Sequence, residues 1–283
     1  MQNTILSQKS KKKLTIIQPK TGWFGIDFKE IWEYRDLFFI LAKREVQLRY
    51  RQTILGVVWV ILQPLITTVI FTIIFGNLIN VDSENTAYEL FSFTGLLPWT
   101  LFSQSLQRSG ISLIRNIRLI TRVFFPRIII PIANSVSTLI DFAISFTLLI
   151  VLLFIFDIAI PINILAVPII IFFNLLIAVG IGIWFAALNV YYRDFTYILP
   201  FIIQLWMYAS PLAYSSSVIP SKWRWIYDLN PMVGIIDAFR WAILGTTDFP
   251  LTAFVYSMVM GVLLFSVGLI IFRRLERGFA DVI

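Results

Sequence analysis

Cysteine and histidine are both absent from the chain. Without cysteine there is no disulfide framework, no thiol nucleophile and no thiolate-bound metal. Without histidine, the commonest metal ligand, general base and pH switch are also missing. Hydrolytic and metal chemistry therefore lose their usual residues, and neither a catalytic residue nor a metal site is expected. A G-x-x-x-x-G-K-[ST] loop that would cradle nucleotide phosphates is lacking too. The chain is expected to bind no cofactor and to hydrolyse no ATP itself. Charge is scarce: 14% of the 283 residues, where a soluble domain carries roughly 25%.

Apolar side chains are abundant instead, at 58% of the chain. A single soluble core could not absorb that much apolar surface without large exposed patches. Stretches apolar enough to cross roughly 30 Å of hydrocarbon lie at about 54–79, 90–107, 128–156, 163–192, 195–214 and 249–272. The fourth run begins earlier, but Pro161 and Pro168 move its helical start to about Asn163. The runs are continuous rather than alternating, which argues against barrel strands. The expected fold class is an all-α membrane protein with six transmembrane helices. Residues 1–27 read as a variable polar extension and residues 28–283 as a single transmembrane domain.

Basic residues set the orientation. Of 23 Lys and Arg side chains, 20 fall on one side of a six-span arrangement and only Lys222, Arg224 and Arg240 on the other. By the positive-inside rule the basic side is cytoplasmic, with both termini there. The net charge of +7 is then a matter of topology and of attraction to anionic membrane lipid, and no nucleic-acid partner is expected.

Three segments do not simply span. Phe24, Phe28, Ile31, Trp32, Phe38, Phe39, Ala42 and Val46 recur at helical spacing between charged residues, predicting an amphipathic helix along the cytoplasmic interface. It serves either as a surface anchor or as a collar that also docks a partner. The segment 108–127 holds Arg108, Arg115, Arg118, Arg122 and Arg127 without a single acid. Its interleaved Ile and Leu residues predict a short cytoplasmic helix packed on a partner. On the external side, Asn230–Pro231 reads as an N-cap and first helical residue, with Gly245 as a stop. That helix is too short to cross, and Trp223, Trp225, Phe239, Trp241 and Ile243 suit it poorly to open water. Re-entrant half-helices, with Asp237 and Arg240 on the second, are expected there; an aromatic belt at the headgroups is the plainer reading.

Within the spans, the four-residue repeat of Ala178, Gly182 and Ala186 predicts close helix packing. Asp141, a carboxylate in the third span, is costly unless partnered, and reads as a protonated or hydrogen-bonded packing residue beside Asn134, Ser137 or Thr138 rather than as a proton relay. Trp59, Phe71, Phe75, Trp99, Phe102, Trp206, Tyr208 and Tyr214 could line a sugar path, since pyranose faces stack on aromatic rings. For any one of them, lipid-facing bulk or a place in the aromatic belt is the better account.

Five stretches are familiar in their order: LRYRQTILGVVWVILQP (48–64), LLPWTLFSQSL (96–106), LITRVFFPRIIIPIA (119–133), NVYYRDF (189–195) and LNPMVGIIDAFRWAILG (229–245). Together they resemble the membrane subunits of type 2 ABC exporters, the permeases that move O-antigen, teichoic acid and capsule-like polysaccharides. The resemblance implies a homodimer in the cytoplasmic (inner) membrane with a separate ATPase subunit under each copy, so that ATP and Mg act on the partner. It also implies an undecaprenyl-linked polysaccharide as cargo, a gating helix between spans two and three, and two external half-helices before span six. Glu30, Arg44, Arg49, Arg51, Arg115, Arg118 and Arg122 are the candidate contacts that couple the ATPase to the path. Three other readings compete. An ion-driven flippase would want several membrane-embedded ionisable groups, and a membrane glycosyltransferase would want clustered carboxylates. A type 2 ABC permease for drugs or lipids differs only in cargo.

Overall fold

The structure, a computed structural model, describes residues 32–50, 54–81, 83, 86–245 and 248–279. All regular structure among these residues is helical. Helix α1 (Arg35–Tyr50) precedes α2 (Ile54–Phe71), which runs on as a π-helical turn, Thr72–Leu78. Then come α3 (Tyr88–Gly110), the short α4 (Ser112–Arg115) and α5 (Ile117–Arg122), and α6 (Ile129–Ile155). A 3-10 turn, Ile162–Ala166, leads into α7 (Val167–Tyr191), followed by α8 (Phe195–Tyr208), α9 (Ser221–Tyr227), α10 (Pro231–Leu244) and α11 (Leu251–Glu276). The segment 1–27, Glu30 and Arg51 lie outside the described residues.

Four segments are long and apolar enough to cross a membrane: Gly56–Leu78, Ile129–Ile155, Ile162–Tyr191 and Leu251–Glu276. Their outer faces expose large apolar side chains such as Ile66, Val69, Phe154, Phe172 and Val259, as a lipid solvent requires. The helix anticipated at 90–107 forms as α3, with a different environment. Every residue from Leu90 to Trp99 is buried, and α3 packs on α2, α6, α7 and α10. A helix enclosed by protein needs no lipid-facing stripe, so it accommodates Ser92, Thr94, Ser105 and Ser109. Thr94 Oγ1, for example, donates to the Leu90 carbonyl at 2.8 Å. The apolar run at 195–214 stays helical only to Tyr208. Its 14 residues span roughly 21 Å, and the chain then turns.

Two packing details fix the frame. Pro64 lacks an N–H and so leaves the Val60 carbonyl of α2 without its helical partner; Ser145 Oγ on α6 donates to that carbonyl at 3.4 Å. The proline thus bonds α2 to α6. The other detail is the crossing of α7 and α11. A Cβ on Gly268 would lie 2.2 Å from the Gly180 carbonyl oxygen, and one on Gly180 would lie 2.6 Å from Phe265 Cα. Small residues bring the backbones into contact, the arrangement favoured where lipid supplies no hydrophobic drive. Gly268→Ala forces them apart and is expected to cost about 1–3 kcal/mol. The thermal midpoint of the purified protein in detergent should fall by several degrees; an unchanged midpoint would refute the contact.

Candidate functional site

Asp141 stands midway along α6 and is 4% exposed. A lone carboxylate there would be costly, and three groups from outside its own helix meet it. Arg49 on α1 pairs with Oδ2 at 2.7 Å, Arg108 at the end of α3 approaches to 3.9 Å, and the Tyr50 hydroxyl donates to Oδ1. Burial pushes the Tyr50 phenol up to about 12, and its hydrogen bond to Asp141 adds to the rise, so it remains a donor across the physiological range. The polar neighbours anticipated on α6 act indirectly: Ser137 Oγ accepts from Arg108 Nη1 at 3.0 Å, and Thr138 bonds Ser105 at 2.6 Å. The partners that matter are cations, because a buried charge is best offset by an opposite charge.

Just beyond Asp141 a cleft of about 550 Å³ opens between α1, α3 and α4. Arg44, Arg49, Arg108 and Arg115 all line it, opposed there, among the described residues, only by Glu45. Arg44 pairs with Glu45 at 3.1 Å and also donates to Asn116 Oδ1. Asn116 interrupts the 108–127 segment, splitting the single helix expected there into α4 and α5; its Nδ2 bonds back to the Ser112 carbonyl at 2.9 Å. Beneath the turn, Asn189 Nδ2 donates to the Gly110 carbonyl at 2.8 Å and Thr196 Oγ1 donates to Asn189 Oδ1 at 3.0 Å. The α3–α4 corner is thereby fixed from α7 and α8. On α5, Ile120 is buried whereas Arg118 and Arg122 face outward.

The opposite end is organised around Asn230. Its Oδ1 accepts from Met232 N at 3.0 Å, capping α10, and from Trp206 Nε1 at 2.8 Å. Its Nδ2 donates to the Ala209 carbonyl and to Ser210 Oγ, both at 3.0 Å. All four hydrogen-bonding capacities of the amide are used, and α10 is tied to the end of α8. Pro231 opens α10 and Gly245 stops it with φ +64°, where a side chain would be strained. Arg240, 3% exposed, lies 3.7 Å over the Phe91 ring, donates to the Phe91 and Leu212 carbonyls at 3.3 and 3.0 Å, and sits 3.9 Å from Asp237. Asp237 Oδ2 accepts from Ser216 Oγ at 2.5 Å, and Arg224 donates to the Ser216 carbonyl at 2.7 Å. Burial, aided by the hydrogen bond to Tyr214, pushes the Tyr227 phenol far up.

The aromatic residues singled out from the sequence divide by placement. Trp99 and Phe102 are buried, with Trp206 packed on Phe102 at 5.0 Å between ring centroids. Phe71 and Phe75 pair with each other at 5.6 Å and are partly exposed. Trp59 and Tyr208 are exposed at 56% and 66%, and the Tyr214 ring lies tilted against Tyr227 at 6.4 Å between centroids. Of the external candidates, Trp223 and Trp225 are exposed, and Trp241 packs edge-on to Phe249 at 4.6 Å. Of the coupling candidates, Arg44, Arg49 and Arg115 meet in the cleft, apart from Arg118 and Arg122. Sequence reasoning did not single out Arg108, Tyr50 or Asn116 as site residues. Tyr50 and Arg108 reach Asp141 from other helices; the one sequence signal was that a carboxylate in a span needs a partner, and it did not say which.

No group of three or more acidic residues suited to a metal ion occurs among the described residues. The two ends of the bundle differ in character: a cationic cleft at one and the aromatic, hydrogen-bonded pair of short helices α9 and α10 at the other.

Comparison with known proteins shows the family of the chain. The chain is 30% identical over 250 residues to the O-antigen export system permease protein RfbA of Klebsiella pneumoniae, covering 88% of this chain and 95% of that protein. It is 31% identical over 215 residues to the protein of the same name from Myxococcus xanthus, covering 75% and 82%. Likeness to the polysialic acid transport protein KpsM of Escherichia coli is 23% over 244 residues, covering 84% and 93%. The profile of the family described as ABC-2 type transporter matches residues 36–244. A multi-pass helical bundle with no nucleotide loop of its own, matched over that length, belongs to the ABC-2 type transporter membrane family.

Proposed function

We propose that this chain is the membrane subunit of an ATP-driven exporter that carries a lipid-linked polysaccharide, of the O-antigen or teichoic-acid type, across the cytoplasmic membrane. The observation that carries the reading is the likeness to O-antigen export permeases along nearly the whole chain. ATP hydrolysis belongs to a separate ATPase subunit, with Mg bound there. Two copies of this chain, each above one ATPase, form the complex, and residues 28–283 act as one transmembrane domain with both termini in the cytoplasm.

In this arrangement α3 and α8 complete the six crossings. Enclosure by protein substitutes for hydropathy in α3, and the turn after Tyr208 extends the reach of α8. The hairpin of α9 and α10 is the pair of re-entrant half-helices on the external side. Arg118 and Arg122, the outward residues of α5, receive the push of the ATPase. The polymer, carried on undecaprenyl, advances between the two copies past the exposed rings of Trp59 and Tyr208 and the partly exposed Phe75 and Tyr214.

Depletion of the gene, with lipid-linked glycan quantified inside the cell and at its surface, tests the reading. Surface glycan should disappear while undecaprenyl-linked polymer accumulates in the cytoplasm. Unchanged glycan in both compartments would rule out polysaccharide and favour a drug or lipid cargo on the same fold.

A further inference from the structure

We propose that the arginine-lined cleft between α1, α3 and α4 binds the phosphoryl headgroup of a lipid, and that Asp141 is the internal carboxylate that holds two of its arginines when the headgroup is away. Four guanidinium groups open onto one space of about 550 Å³, with Glu45 as the sole acid lining it among the described residues. That volume lies within the roughly 300–1,000 Å³ of ordinary small-ligand sites. Like charges gathered this closely repel, and the repulsion is relieved by an anion carrying more than one charge. Arginine suits phosphate in particular, because its planar fork donates two parallel hydrogen bonds. Neutral sugar hydroxyls would not call for such a concentration of charge.

Two further features favour a lipid-borne group over a free anion. Leu48 lines the same cleft and is 70% exposed, so an apolar tail has a surface along which to leave. Phe39 and Ile40 of α1, each 64% exposed, add apolar surface on the same helix. The charged wall is also partly set in advance. Arg44 is held by Glu45 and Asn116, and Arg115 has no carboxylate partner among the described residues.

Asp141 lies at the inner end of this cluster. It grips Arg49 at 2.7 Å and Arg108 more loosely at 3.9 Å. A doubly charged phosphoryl group entering the cleft competes with Asp141 first for Arg108. Occupancy therefore loosens the carboxylate link between α1, α3 and α6. The phosphoryl chemistry stands on the cleft alone; that the headgroup is the diphosphate end of the exported polymer rests on the exporter reading above.

The test uses the complete complex with its ATPase subunit in phosphatidylcholine nanodiscs, titrated with farnesyl diphosphate. Saturable binding is expected, weakened about tenfold or more in Arg44→Gln/Arg115→Gln, the equivalent of at least one charge-assisted hydrogen bond. Arg44→Lys/Arg115→Lys, which keeps the charge and loses the fork, should fall between. Asp141→Asn should bind several-fold tighter, a sign that damage to the fold would not produce. Co-elution with the ATPase subunit on size exclusion checks that each variant is assembled. Displacement of the probe by phosphatidylglycerol supports the site and names bulk anionic lipid as its source; resistance to displacement supports the polyprenyl carrier. Inorganic diphosphate binding as tightly as the farnesyl form overturns the lipid headgroup. Absent binding, or binding equal in the glutamine double variant, overturns the site, and weaker binding in Asp141→Asn overturns the role given to that residue. A failed site with glycan still trapped in depleted cells leaves the exporter reading intact; a bound probe without a glycan phenotype does the reverse.

Discussion

Reversing the charge of Arg118 and Arg122 together, to glutamate, should leave ATP hydrolysis by the complex running while polymer export drops about tenfold or more. Both residues are exposed on α5, whereas Ile120 between them is buried. The substitution therefore alters the outer face without opening the core. A contact that transmits force between subunits depends on complementary charge at its rim, and like charge placed there costs several kcal/mol. The folded bundle should be undisturbed, since neither side chain has a partner within the described part of the chain. Surface glycan and ATPase rate, measured in parallel, decide the matter. Export at the wild-type rate would remove α5 from the coupling route. Loss of both activities would show instead that α5 holds the complex together.

Arg240→Ala should loosen the α10 segment from α3 and the chain around Leu212. The guanidinium is the centre of a buried cluster: a cation–π contact with Phe91, two carbonyls on separate segments, and Asp237. Removing one partner of a buried charged cluster typically costs about 3–5 kcal/mol, because the groups left behind find no water. Space for it was reserved on α3, where a Cβ at Gly95 would come within 2.6 Å of Arg240 Nη2. The absence of native cysteine makes the measurement simple. Leu212→Cys, at a position 2% exposed, should resist an impermeant maleimide when Arg240 is present and react readily in the Arg240→Ala background. Arg240→Lys keeps the charge but loses the fork, so intermediate labelling is expected. A position 212 that stays protected in the alanine variant would mean that other contacts pin the segment.

Some of this architecture was legible in the sequence. Asn230, Pro231 and Gly245 mark the ends of α10 through local capping chemistry, which acts within a few residues and so survives any tertiary context. The lipid-facing helices were legible because hydrocarbon imposes one simple composition on them. The small-residue repeat at 178, 182 and 186 also pointed to a contact: Gly182 faces Ser109 of α3, while Gly180, two residues away, meets α11. The early end of α8 was not legible. Hydropathy continues unbroken to Tyr214, and the turn is held by Asn230 reaching back to Ala209 and Ser210 from 20 residues away. The partners of Asp141 were hidden for the same reason. Its neighbours in sequence are hydroxyls and an amide, whereas Arg49 and Arg108 arrive from helices whose placement only the assembled bundle determines.

The crossing of α7 and α11 has a mechanical consequence. Backbones touching through Gly180 and Gly268 leave no side-chain layer to shear between the two helices. The two helices make one strut. In the two-copy arrangement proposed above, a path that widens and narrows then takes its travel from parts with slack: α2, softened by Pro64 and its π-helical turn, and the short α8. The strut is the bearing against which those two helices turn.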